Sequence, residues 1–350
     1  MIINVFKVFV PATLSFFFGL LFAEPLIRFL IKNEMWKKKA RTQGLGGGET
    51  PIFNSIHKDK EVSTPRMGGI IIWASVLVTI TLMWLLWVIV PSDVTEKLTF
   101  LSRNQTWLPL FTLLIGSLVG LVDDYKVVQG RGGYIAGGLP LSLRIAIVLL
   151  IGFIGAWWFN TKLGISYIYL PSGYLQLGWL FYPAFMITML ALFSGGVIDG
   201  IDGLAGGIFA IMFGAYAGIA FFQNQIDLSA FCATISGGIL AFLWFNIPPA
   251  RFYMSETGIL GLTTTLTVVA YLTNSVIELP LIAFPLLVAS ASDIIQIGSK
   301  KLRGKKVFLV APIHHHFEAL GWPSYQVTMR FWIVSIITAL MGMIIALIGK

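Results

Sequence analysis

Long apolar runs alternate with short polar segments along almost the whole chain. A helix needs roughly 20 apolar residues to cross the hydrocarbon core of a bilayer, and about ten runs approach that length. We predict membrane-spanning helices near residues 5–31, 67–91, 107–122, 143–160, 176–196, 204–223, 229–247, 257–276, 279–298 and 327–349. The pattern therefore predicts an all-α, polytopic membrane protein in which residues 1–350 form a single transmembrane domain.

The composition agrees with this prediction. Of the 350 residues, 57% are hydrophobic and 11% are charged, whereas about 25% of residues are charged in ordinary soluble domains. An ordinary soluble globular protein is therefore excluded. The one cysteine, Cys232, lies inside an apolar run, which excludes an internal disulfide.

Positive charge is distributed unevenly between alternate loops. The segments 32–66 and 299–326 are rich in Lys and Arg, while the opposite loops hold little more than Lys97, Arg103 and Lys162. Because Lys and Arg in short loops are retained on the cytoplasmic side, we predict a cytoplasmic location for the basic segments and an exterior location for both termini. The basic rim either satisfies topology alone or also attracts an anionic substrate or lipid head group.

Five acidic residues lie at predicted helix ends on the same side, namely Asp123, Asp124, Asp199, Asp202 and Glu256. Helix capping is a sufficient explanation for any one of them. Together they favour a convergent anionic site at the cytoplasmic face, because carboxylates near membrane spans are costly and tend to be functional. Carboxylate oxygens suit Mg²⁺, which usually binds one or two carboxylates together with substrate phosphates. The pattern predicts magnesium-assisted phosphoryl transfer.

Three consecutive histidines occupy positions 314–316, after a basic stretch and Pro312. Consecutive residues of a helix cannot all face one point, so a metal cage built from these three alone is excluded. Imidazole beside a polyphosphate offers directional hydrogen bonds, and we expect at least one of the histidines to face such a site. A solvated interfacial turn is the alternative.

Five motifs carry a resemblance to a known family: "STPRMGG", "GLVDDYK", "DGIDGLA", "FNIPPARFYMSETG" and "APIHHHFEALGW". In this order, over nearly the entire chain, they resemble the phospho-N-acetylmuramoyl-pentapeptide transferases of bacterial cell-wall synthesis. The resemblance implies a ten-helix enzyme of the bacterial inner membrane that transfers phospho-N-acetylmuramoyl-pentapeptide from UDP to undecaprenyl phosphate. Lipid I and UMP would be the products and Mg²⁺ the cofactor. It also implies a homodimer, with no nucleic-acid partner.

The resemblance also implies roles for particular residues. Asp123 and Asp124 match an aspartate pair, one member of which is proposed to deprotonate the lipid phosphate. Asp199 and His314 are the other catalytic candidates. Glu256 and Asp124 are the expected metal ligands, and the implied substrate-binding residues are Arg66, Lys126, Arg144, Gly200, Ile201, Asp202, Asn246, Tyr253, His315 and His316.

Several positions depart from the family pattern, and two alternative functions stay open. Glu256 stands where aspartate is customary, Arg144 where lysine is usual, and Arg66 ends "STPR" where the family has threonine. The related transfer of N-acetylhexosamine phosphate is slightly favoured by "TPRMGG" and opposed by "HHHFEALGW". A transporter is the second alternative, but its ionisable groups should lie near the bilayer midplane, whereas these acids lie near one face.

Overall fold

The computed structural model describes residues 2–38, 62–102, 105–130, 137–170 and 173–348. Half of the Lys and Arg residues of the segment 32–66, together with Arg103, lie outside these ranges. The α-helices of the described residues are α1 (Ile2–Lys32), α2 (Ile70–Ile89), α3 (Asp93–Leu98), α4 (Trp107–Gln129), α5 (Leu141–Trp158), α6 (Phe181–Ser194), α7 (Leu204–Phe222), α8 (Ile226–Asn246), α9 (Ser255–Leu272), α10 (Leu279–Ile282), α11 (Phe284–Arg303), α12 (Ile313–Ala319) and α13 (Ser324–Ile348).

Every predicted apolar run overlaps one of the long helices, which are α1, α2, α4 to α9, α11 and α13. In the described part of the chain, 8 helices are long and apolar enough to cross a membrane by length and composition. The remaining two long helices are α9 and α11. The all-α, polytopic membrane class predicted from the sequence is thus confirmed.

Helix α9 differs from the others because the protein surrounds it. All of its residues except Glu256 are buried. Its threonine hydroxyls bond to carbonyls one turn earlier, as Thr263 Oγ1 does to Ile259 O at 2.8 Å and Thr264 Oγ1 to Leu260 O at 2.7 Å. A helix that is shielded from lipid and satisfies its own hydroxyls does not need a strongly apolar surface.

Glycines bring the backbones of α4 and α9 into close contact. A methyl group on Gly120 would overlap the carbonyl oxygen of Glu256, and one on Gly116 would lie 2.8 Å from Leu260 O. On the opposite helix, a methyl group on Gly261 would overlap Ser117 Oγ. Small residues permit such close packing of membrane helices. The packing fixes the end of α4, with Asp123 and Asp124, against the beginning of α9.

A β-hairpin, which the sequence analysis did not predict, separates α5 from α6. Strands β1 (Tyr167–Leu170) and β2 (Gly173–Gln176) pair antiparallel, with Tyr167 opposite Gln176. The predicted helix at 176–196 therefore began too early, and α6 begins at Phe181 after a 3₁₀ turn at Gly178–Leu180. The hairpin signal was aromatic and β-branched residues on either side of "PSG".

The contact between α4 and α9 makes a prediction for stability. We expect Gly120→Ala to lower the free energy of unfolding by about 1–3 kcal/mol or more, because overpacking forces the two backbones apart. Gly214→Ala is the matched control, since Gly214 lies in α7 with open space around the added methyl group. Thermal unfolding in detergent should show a lower midpoint for Gly120→Ala alone. Equal midpoints for the two variants would contradict the close contact.

Candidate active site

The Asp124 carboxylate lies at the centre of the site and is fully buried, with 0% exposure. Its Oδ1 accepts hydrogen bonds from Arg66 Nε at 3.2 Å and Arg66 Nη2 at 3.0 Å. Its Oδ2 accepts from the Thr257 backbone N–H at 2.9 Å and from Thr257 Oγ1 at 2.6 Å. One carboxylate thereby joins α4, the beginning of α9 and the segment that precedes α2.

A second cluster is built around Arg144, in the first turn of α5. Arg144 Nη1 donates to Glu256 Oε1 and lies 3.9 Å from Asp123 Oδ2. Asp123 Oδ1 accepts from the backbone N–H of Leu139 at 2.7 Å. The guanidinium group therefore bridges carboxylates from α4 and α9, which lie far apart in sequence. Asp123, Asp124 and Glu256 are brought together as the sequence analysis predicted.

Asp199 lies in the turn between α6 and α7, and its carboxylate points to the beginning of α9. Its Oδ2 accepts a hydrogen bond from the backbone N–H of Ser255 at 2.8 Å. Burial raises the pKa of Asp199 to about 6, because desolvation disfavours the charged form more than the Ser255 hydrogen bond favours it. This turn therefore places a third acidic side chain beside the residues that contact Asp124.

The rest of this turn is held by Asn246 and Asp202. Asn246 Oδ1 accepts from the Gly203 backbone N–H at 3.0 Å, and its Nδ2 donates to Phe252 O at 2.9 Å. Asp202 Oδ2 accepts from the Ala250 backbone N–H at 3.3 Å. Both ends of the Asn246 amide are thus occupied by backbone groups. The two side chains tie the turn to the segment that leads from α8 to α9.

Two of the three histidines face the turn at Gly200. A methyl group on Gly200 would lie 2.6 Å from His314 Nε2 and 2.7 Å from His315 Nε2. His316 faces elsewhere, and its Nδ1 accepts from the backbone N–H of Leu309 at 3.2 Å. Consecutive residues of a helix point in different directions, which is consistent with His316 facing away from the side that His314 and His315 share. No group of three or more His, Cys, Asp or Glu side chains is arranged to hold a metal within the ranges described.

The other predicted substrate-binding residues take less central positions. Lys126 is exposed in the last turn of α4, and Ile201 is buried beside Gly200. Tyr253 is half-buried, and its backbone pairs with the segment that precedes α2: its N–H donates to Pro65 O and its carbonyl accepts from Gly68 N, both at 2.8 Å. These three stay predictions as substrate contacts.

The carboxylates differ in their capacity to hold a cation. Glu256 Oε2 is buried and accepts no hydrogen bond from the described residues. Asp124 already receives four hydrogen bonds, which fill the acceptor positions of a carboxylate. Since Mg²⁺ needs only one or two protein carboxylates when substrate phosphates complete its shell, the residues present fit Mg²⁺ through Glu256. The role of Asp124 as a metal ligand stays a prediction.

Thr257 is a site residue that the sequence analysis missed. It donates from both its backbone and its hydroxyl to Asp124 and is itself fully buried. A single hydroxyl directly after Glu256 in "SETG" carries no pattern that would have indicated this role. The residue that pairs with it lies 133 positions earlier.

Comparisons with known proteins show which proteins this chain is similar to. The model of glycosyl transferase family 4 matches residues 106–274, which include α4 to α9 and hence Asp123, Asp124, Asp199 and Glu256. A phospho-N-acetylmuramoyl-pentapeptide transferase of a Geobacillus species is 37% identical over 291 residues, covering 82% of this chain and 85% of the relative. Those of Pelagibacter ubique and Dinoroseobacter shibae are 34% and 32% identical, covering 83% and 93% of this chain and 84% and 89% of theirs.

Buried carboxylates gathered by long apolar helices, together with the match over residues 106–274 and the relatives, define a membrane-embedded transferase. Within that class, the chain belongs to the phospho-N-acetylmuramoyl-pentapeptide transferase family. The resemblance inferred from the five motifs is thereby confirmed.

The contact between Thr257 and Asp124 makes a second prediction. We expect Thr257→Val to lower the free energy of unfolding by about 1–3 kcal/mol, because it leaves a buried carboxylate oxygen short of a donor. Turnover should fall as well, because the Asp124 carboxylate loses the hydroxyl hydrogen bond that helps to hold it in position. Thr263→Val is the matched control, because its hydroxyl bonds within α9. Thermal unfolding and transferase assays on both variants check this, and equal behaviour would contradict it.

Proposed function

We propose that this protein transfers phospho-N-acetylmuramoyl-pentapeptide from its UDP donor to undecaprenyl phosphate, forming lipid I and UMP. The proposal is carried by the convergence of Asp123, Asp124, Asp199 and Glu256 around Arg66 and Arg144, where long apolar helices end. A water-soluble nucleotide and the head group of a lipid phosphate can meet only at such a boundary. The names of the relatives support the choice of substrates.

The donor diphosphate would bind between the two arginines and the Gly200 turn. Guanidinium groups suit phosphate oxygens because their planar fork makes two parallel hydrogen bonds. Arg66 and Arg144 pair with carboxylates in the structure, so both cations are already held at the site. Mg²⁺ held by Glu256 would neutralise charge on the diphosphate and on the leaving UMP.

The acceptor step forms one bond and breaks one bond. An oxygen of undecaprenyl phosphate attacks the phosphorus that carries the sugar, and the bond from that phosphorus to the oxygen of UMP breaks, with the electron pair leaving on UMP. Asp123 is the better placed of the two aspartates to take the acceptor's proton, because all four acceptor positions of Asp124 are used. His314, across the Gly200 turn, would contact the donor phosphates, and Asp199 would lie beside them.

The remaining predicted contacts concern the uridine and the cellular setting. Asp202, Tyr253 and Ile201 would line the nucleotide side of the turn, while Asn246 would shape it through its backbone hydrogen bonds. Lys126 would approach the donor from the rim, whereas a donor contact of His316, which faces away from the Gly200 turn, stays a prediction. We propose that this face is cytoplasmic, that both termini lie outside an inner bacterial membrane, and that the chain forms a homodimer.

Transfer of radiolabel tests the function directly. Purified protein, Mg²⁺, undecaprenyl phosphate and labelled UDP-N-acetylmuramoyl-pentapeptide should yield a labelled lipid extractable into organic solvent. Asp124→Asn should abolish the transfer, whereas Glu96→Gln, an exposed change on α3, should leave it intact. Transfer from UDP-N-acetylglucosamine in place of the muramoyl donor would favour the hexosamine-phosphate alternative. No labelled lipid from folded protein with any donor would reject transferase function.

The metal assignment makes a separate prediction. We expect Glu256→Gln to weaken Mg²⁺ binding by at least about tenfold, the scale already known for loss of an outer-shell partner. Thermal stabilisation by Mg²⁺ and paramagnetic resonance of Mn²⁺ used in its place measure this without turnover. Glu96→Gln again serves as the matched control. Unchanged cation affinity in Glu256→Gln would remove Glu256 from the metal site.

A further inference from the structure

A buried chain of hydrogen bonds lies behind the histidine that faces the Gly200 turn. His315 and Glu318 are three residues apart on α12, and His315 Nδ1 lies 2.7 Å from Glu318 Oε2. Ser324, the first residue of α13, donates from Oγ to Glu318 Oε1 at 2.5 Å. His315 is 6% exposed and Glu318 is 7% exposed. Both oxygens of this carboxylate are thus engaged away from bulk water.

The opposite nitrogen of the same ring points at the candidate active site. His315 Nε2 would lie 2.7 Å from a methyl group on Gly200, the residue next to Asp199. The His314 ring lies alongside, with 4.3 Å between ring centroids. Glu318 therefore contacts one nitrogen of His315, while the other nitrogen is directed at the turn where the donor phosphates would lie.

A carboxylate on one ring nitrogen has known consequences for the other. It fixes the orientation and the tautomer of the ring, and it stabilises the protonated imidazolium form. A neutral ring held in this way would present a lone pair at Nε2, which repels a phosphate oxygen. The protonated ring presents an N–H, which forms a charge-assisted hydrogen bond to the same oxygen.

We propose that Glu318 is a positioning residue that accepts the Nδ1–H of His315 and so presents Nε2–H to an anionic phosphoryl oxygen of the nucleotide-sugar donor beside Gly200. The inference rests on the proposed function and adds Glu318 and Ser324 to it. Ser324 fixes the carboxylate from its far side, which couples the beginning of α13 to the same ring. A purely structural pair would tether α12 to α13 and leave donor binding unaffected.

Donor kinetics distinguish these two roles. We expect the near-isosteric Glu318→Gln to raise the KM for the UDP-linked donor by roughly 10- to 100-fold, the scale of loss when the orienting partner of a metal-bound histidine is removed. The KM for undecaprenyl phosphate should stay unchanged, and Ser324→Ala should shift donor KM in the same direction by less. Glu96→Gln is the matched control. Equal changes in both KM values, or a change in kcat alone, would contradict the proposal.

A double-mutant cycle with His315→Gln tests whether Glu318 acts through the ring. If it does, Glu318→Gln should have almost no further effect on donor KM once His315 has been replaced, because coupled residues are not additive. If the change in donor KM of the double variant instead equals the product of the two single fold-changes, the proposal is overturned.

Nitrogen-15 spectroscopy of histidine-labelled protein tests the ring without turnover. The chain has 4 histidines, so His315→Gln suffices to assign the His315 signals. We expect Nδ1 of His315 to be protonated in the unmodified protein, and inorganic pyrophosphate with Mg²⁺ to shift the Nε2 signal. An unprotonated Nδ1, or an Nε2 signal that pyrophosphate does not shift, overturns the proposal even if lipid I is formed. If transfer fails with every donor while these signals behave as expected, the proposed function fails and the phosphate contact stands.

Discussion

Burial of the Asp124 carboxylate is the constraint on which the rest of the site depends. An ionised carboxylate removed from water costs several kcal/mol unless charges and hydrogen bonds surround it. Arg66 and Thr257 supply four donors to it, from a segment before α2 and from the beginning of α9. The two Thr257 donors reach Asp124 because Gly116 and Gly120 let α4 and α9 approach closely. The packing of these two helices therefore also determines how the charge on Asp124 is balanced.

The same principle orders the neighbouring groups. Arg144 lies between Glu256 and Asp123, so negative charge on two helices shares one cation. Asp199 is oriented by the backbone of Ser255, and His315 by Glu318. Each functional side chain is held by a partner from another part of the chain or from the next turn of its own helix. These supporting contacts hold the side chains of the site in fixed positions, although carboxylates so close together repel one another.

Several features were predictable from the sequence for identifiable reasons. The ten helices followed from runs of apolar residues, because a spanning helix must be apolar over most of its length. The divergence of His316 from His314 and His315 was consistent with the angular spacing of a helix. The strands at Tyr167–Leu170 and Gly173–Gln176 were missed, because each has only four residues and such short runs carry a weak periodic signal. Thr257 and Glu318 were missed because one hydroxyl and one more carboxylate have no signature of their own.

The sequence by itself determined the membrane class, the approximate helix positions and the set of acidic residues near helix ends. These properties are local, since each depends on the composition of about 20 consecutive residues and their cost in hydrocarbon. Only the tertiary structure decided that Asp124 pairs with Arg66, 58 positions away, and with Thr257, 133 positions away. It also decided that Glu256, rather than Asp124, keeps an unpaired oxygen among the described residues. Such pairings depend on which helices pack against each other and on how far one is shifted along the other. Between α4 and α9, the close contacts at glycines fix both.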